Sequence, residues 1–122
     1  MKILSIDYGT KLIGLAKWSS DVDVILPFGV VKSTNEVADL VKKEKFDKVI
    51  VGMPYSAEKV NVKNKNVVRV QKFIDQLQAD INIKIEIVDE RFSSQQADRM
   101  VGEATRDERS AMVILESYLQ NQ

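Results

Sequence analysis

The stretch "ILSIDYGTKLIGLAK", residues 3–17, decides how this chain folds. Ile3 to Ile6 is apolar enough for a buried strand, yet the run ends on Asp7. A four-residue turn, Tyr8 to Lys11, then leads into a second apolar run, LIGLAKW at 12–18. A charge at the end of a buried strand is costly unless something pairs with it. The candidate partners are a helix end, a basic side chain and a metal ion.

Working outward, residues 2–7 and 12–18 read as two strands, and VILPFGVV at 24–31 as a third after the polar SSDVD. Connections this short force antiparallel neighbours, so the three form a meander. Pro27 suits an edge position in it. The period then changes. Ser33 and Glu36 stand at capping-box spacing, and Val37, Leu40 and Val41 recur at helical intervals. KVIVGMP, 48–54, is a continuous apolar run of the kind buried on both faces. Val67, Val70, Phe73, Ile74 and Leu77 predict a helix over 63–78, and INIKIEIV at 81–88 alternates as a strand. Ser93 with Gln96 opens another helix. Thr105 with Glu108 opens the last, whose apolar stripe is Ala111, Ile114, Leu115, Tyr118 and Leu119. Strands joined through helices run parallel to one another and to the first. The expected architecture is α/β: a five-stranded mixed sheet, an antiparallel three-strand meander plus two parallel strands, flanked by helices in a single domain over 1–122.

Composition narrows the chemistry. Of 122 residues, 44% are hydrophobic and 30% charged, the balance of a soluble globular chain. No apolar run approaches the roughly 18 residues of a membrane span, and no signal peptide is visible, so the cytoplasm is the expected location. With no cysteine there is neither a disulfide framework nor a zinc-thiolate site. With no histidine, Ser-His and Cys-His catalysis and imidazole metal sites are excluded. Chemistry must come from carboxylates, lysines or hydroxyls, and carboxylates suit hard cations such as Mg²⁺ or Mn²⁺. The net charge is zero, with 18 basic against 18 acidic residues. Within that balance, 57–72 carries Lys59, Lys63, Lys65, Arg69 and Lys72 against Glu58 alone. This is a phosphate-tracking patch or, in the simpler reading, a solvated helix face.

In an open α/β sheet, ligands sit beyond the carboxyl ends of the parallel strands. Asp7 ends the first strand, Gly52 to Pro54 the fourth, and Asp89 and Glu90 the fifth, while Asp107 lies in the first turn of the last helix. Acid at a helix start is also favoured by the dipole alone. Three carboxylates on one rim repel unless a divalent cation neutralises them, and such clusters serve phosphodiester hydrolysis. The backbone amides of the turn and Lys11 lie where a phosphate approaches.

"IDYGTKLIGLA", "KVIVGMP", "IVDERFSSQQA" and "DERSAMVILESYL", in this order and spacing, resemble the YqgF/RuvX family of ribonuclease H-like proteins over residues 2–120. The resemblance implies a ribonuclease H-like fold and a Mg²⁺- or Mn²⁺-dependent nuclease that matures the 5′ end of pre-16S rRNA in ribosome biogenesis. It carries catalytic and metal-ligand roles onto Asp7, Glu90 and Asp107, and substrate-facing roles onto Lys11 and Arg91. The basic segment through Lys59, Lys63 and Arg69 would steer RNA. The implied partner is RNA of the pre-ribosomal particle, with the protein a monomer or weak homodimer. Two alternatives stand beside this: a Holliday junction resolvase-like nuclease acting on branched DNA, and an RNA-binding assembly factor with little or no catalysis. Two positions depart from the family pattern. Leu12 stands where GxKRIG has arginine, and the stretch after the VGxP turn, 55–64, has no glycine.

Overall fold

The computed structural model describes residues 1–54, 65–89 and 99–121. Five strands and three helices follow one another: β1 (Lys2–Tyr8), β2 (Ile13–Ser19), β3 (Val24–Val31), α1 (Thr34–Glu44), β4 (Lys48–Met53), α2 (Lys65–Asp80), β5 (Ile85–Asp89) and α3 (Arg106–Gln120). They form one sheet in the order β3-β2-β1-β4-β5. The β1–β2 and β2–β3 pairs are antiparallel, and β1–β4 and β4–β5 are parallel. The mixed sheet expected from the sequence is therefore present, with Pro27 on an edge strand as its missing N–H requires. Among the described residues no helix is long and apolar enough to cross a membrane.

One element differs from the reading of the sequence. The fifth strand begins at Ile85, not at Ile81. Ile81 is instead buried in the core with α2, and Gln78 Nε2 holds the carbonyls of Ile81 and Ile83 at 3.4 and 3.1 Å. Alternation of isoleucines cannot separate a strand from a turn that buries every other side chain. The helix expected to open at Ser93 and Gln96 lies outside the described residues.

Alternation along β1 sorts its side chains between two cores. Leu4 and Ile6 join the core shared with α1 and α2, where Tyr8 stacks on Phe73 with ring centroids 4.3 Å apart. Ile3 joins the core beneath α3, and Ser5 on the same face is fully buried, its Oγ donating to the Ala111 carbonyl at 2.7 Å. Asp7, next in that series, must face α3.

The start of α3 is fixed from several sides. Thr105 and Glu108 form the complete capping box that their spacing predicts. Glu108 Oε2 also accepts from the Gly29 amide of β3 at 2.6 Å. Further along, the buried Glu116 meets Arg99 Nε at 2.9 Å, and residue 100 bridges Ile25 on the outer side of β3.

Candidate active site

The Ser5–Ala111 bond sets the register of α3 over β1. From Ser5 to Asp7 is a strand step of roughly 6.7 Å. From Ala111 back to Asp107 is four helical residues, roughly 6 Å. The two steps match, so the first turn of α3 lies over the end of β1. Asp7 and Asp107 accordingly line one open cleft of about 430 Å³, together with Thr10, Lys11, Leu12 and Arg106.

Gly14 makes this approach possible. It is the residue paired with Asp7 across β1 and β2. A Cβ at position 14 would lie 2.0 Å from the Asp107 carbonyl oxygen and 2.9 Å from its Cβ. The helix thus presses onto the strand through a hole left by the missing side chain. A glycine inside a strand often marks such a close approach, and that signal was present in the sequence.

Burial pushes the Asp7 carboxyl above the usual aspartate range, and the Asp107 carboxylate pushes it further; the Arg69 guanidinium pulls it part of the way back. Arg69 acts on Asp7 by its charge, from α2. Its Nη1 donates to the Gly9 carbonyl at 3.0 Å and the Tyr8 carbonyl at 3.4 Å, and its guanidinium lies 4.9 Å from the Tyr8 ring centre. The turn after β1 is closed by Gly9 N–H donating to the Leu12 carbonyl at 3.1 Å, where a Cβ on residue 9 would stand only 2.5 Å from that oxygen. Arg69, Asn66 and Pro54 line a second cleft of about 300 Å³ that shares Asp7, Gly9 and Thr10 with the first.

Of the residues singled out from the sequence, Asp7, Asp107 and Lys11 therefore share one cleft, and Arg69 lies on the other side of Asp7. Glu90, Arg91, Lys59 and Lys63 lie outside the described residues. β5 ends at Asp89, paired with Met53. Gly14, Asn66, Arg106 and Ser110 were not anticipated. Arg106 and Ser110 reach the cleft only because α3 starts there.

The donors fit a hard divalent cation. Two carboxylates face one cleft, the one on β1 is destabilised as an anion by burial and by its neighbour, and Thr10 and Ser110 offer hydroxyl oxygens beside them. Among the described residues no third acidic, histidine or cysteine side chain completes a metal-holding group.

A meander continued by two parallel strands, with helices on both faces and an acid ending β1, defines the ribonuclease H-like class of α/β fold. RuvC of T. thermophilus, solved in complex with a Holliday junction substrate, superposes with a TM-score of 0.66 over 98% of this chain and 92% of that one, at 12% identity. The chain belongs to the RuvX family, described as Holliday junction resolvase, whose pattern matches residues 1–121. Two relatives, each named "Putative pre-16S rRNA nuclease", come from Maridesulfovibrio salexigens and Phocaeicola vulgatus. The first is 31% identical, covering 98% of each chain. The second is 34% identical, covering 98% of this chain and 96% of its own.

Proposed function

We propose that this protein is a nuclease that hydrolyses phosphodiesters of the 16S rRNA precursor at its 5′ end, using Mg²⁺ or Mn²⁺ held by Asp7 and Asp107. The observation that carries the reading is the placement of Asp7: a half-buried carboxyl turned toward α3 and set against a second carboxylate, with its pKa raised by both. Structure alone gives little reason to hold two like charges there. Glu90, the third acid that the family resemblance assigns to the metal, follows directly on the end of β5. When bound, a divalent cation neutralises the acids and polarises the phosphodiester and the attacking water.

The remaining work falls to the chain's own groups. Asp7 and Asp107 orient whatever occupies the cleft, because β1 and the first turn of α3 are rigidly joined through Gly14 and Ser5. Lys11 brings positive charge to the same cleft for the phosphate. Arg69 keeps the Tyr8 and Gly9 carbonyls turned away from an incoming anion by holding both. With no histidine in the chain, proton transfer in the cleft falls to carboxylate and water.

The test is cleavage of an RNA spanning the 5′ end of pre-16S rRNA, beside a four-way DNA junction, with Mg²⁺, Mn²⁺ or chelator. RNA cleavage should need the metal and fall roughly a thousandfold in Asp7→Asn, about 4 kcal/mol of barrier. Equal cleavage by the variant would put the chemistry elsewhere. Cutting of the junction but not the RNA would select branched DNA, and metal binding without cleavage would leave an RNA-binding assembly factor.

A further inference from the structure

Arg106 is the first residue of α3, where the helix dipole disfavours a cation. Its side chain is exposed and makes no ion pair among the described residues. It therefore contributes nothing visible to the stability of α3, and its position costs a little. Yet it lines the cleft that holds Asp7 and Asp107, opposite Lys11 on the turn. Lys11, too, is exposed and without an ion pair among the described residues. Two unneutralised cations flanking two carboxylates are poorly explained by folding. They suit a polyanion lying across a metal site, the metal taking one phosphate and the cations its neighbours.

Leu12 lines the same cleft. The turn therefore presents an apolar side chain to this space at position 12. We propose that Arg106 is a substrate-binding residue that takes a backbone phosphate next to the scissile one, supplying from α3 a positive charge that Leu12 cannot supply from the turn. A guanidinium also suits the task better than an ammonium, because its fork can hold two phosphate oxygens at once. This rests on the nuclease reading above, and it adds which wall of the cleft grips the strand.

The test measures binding of a fluorescein-labelled single-stranded RNA 20-mer in chelator, by anisotropy, from 25 to about 250 mM salt. Arg106→Ala should bind roughly tenfold more weakly at low salt and lower the slope of log affinity against log salt by about 0.7, the value of one phosphate contact on a single strand. Arg106→Lys should keep the slope but lose part of the affinity. Leu12→Arg in the Arg106→Ala background should recover the slope. Removing a cation from the first helical position should not lower Tm, so weaker binding cannot be ascribed to unfolding. An Arg106→Ala slope equal to wild type would overturn the proposal, and a double variant that stays weak would overturn the reading that the two positions face one phosphate. The nuclease reading is separable: if wild type cleaves precursor RNA in Mg²⁺ while Arg106→Ala binds normally, only the role of Arg106 fails. Wild type that neither binds nor cleaves ends both.

Discussion

At the scale of single residues, Asp7 would, in the proposed nuclease, set function against stability. Its pKa is raised in the folded chain, chiefly by burial and then by Asp107. The folded state therefore holds the Asp7 proton more tightly than the unfolded state does. Stability from this group is greatest below its ordinary value near 3.8 and is lost as pH rises through the higher folded value. At neutral pH the ionised Asp7 is a cost that folding bears. Asp7→Asn, which keeps the shape and removes the charge, should raise Tm in chelator at pH 7 even as it removes activity, a trade seen where sites are held in unfavourable states. Excess Mg²⁺ should reverse the order: at a hundred times Kd, binding stabilises the wild type by about 2.7 kcal/mol, and the variant should gain far less. Thermal unfolding of both proteins with and without the metal checks this. A variant no more stable in chelator would show that Asp7 is not strained, and one that gains equally from Mg²⁺ would show that it is not a ligand.

At the scale of elements, the decisive contact is α3 on β2. The Asp107 backbone fills the space over Gly14, and the residue paired with Gly14 across the strands is Asp7. One missing side chain thus fixes the separation of the two acids. Gly14→Ala would put a methyl group against backbone atoms that cannot swing aside, so the start of α3 must lift. Overpacking of this kind costs about 2–3 kcal/mol, which for a chain of this size lowers Tm by about 10 °C. Displacing one acid by even an ångström should cut cleavage roughly a hundredfold. RNA affinity in chelator should change much less, because the cations of the cleft remain. Tm, cleavage rate and affinity measured on one preparation test the idea; a Gly14→Ala protein with wild-type Tm and rate would refute it. The sequence carried only half of this device. Gly14 was legible as a glycine inside a strand, but what approached it was not, since Asp107 lies 93 positions further on (107 against 14).

At the scale of the whole molecule, what was legible divides along the same line. The strand directions could be read because short polar connections allow only antiparallel neighbours and helical connections return the chain parallel, whereas the place of β4 beside β1 could not. The caps at Ser33 and Thr105 were legible because capping is local, and both accept the expected amide. Asp7 and Asp107 were legible as members of one rim from strand ends and a family resemblance. Arg106, Arg69 holding the turn, and Glu108 reaching β3 were not, because each depends on which element lies opposite in space. Glu108 joins the cap of α3 to β3: it accepts from the amide and hydroxyl of Thr105 and from the Gly29 amide. The bond from the Thr105 backbone, outweighing a smaller penalty of burial and helped by Gly29 and the Thr105 hydroxyl, holds its carboxyl below the usual glutamate range. Here the sign is opposite to that of Asp7. The stability Glu108 provides is complete above its ordinary value of 4.5 and is lost as pH falls through the lower folded value. Because Asp7 works against it over an overlapping range, the clean comparison is made in an Asp7→Asn background. There, Glu108→Gln should cost about 1–2 kcal/mol at pH 7, the scale of a lost cap with its bonds to charge. That difference should shrink on acidification below pH 4.5, since the protonated glutamic acid resembles the amide it is compared with. Urea midpoints at pH 7, 4.5 and 3 give the answer, and a difference that stays constant across them would mean that the charge on Glu108 does not tie α3 to the β3 edge.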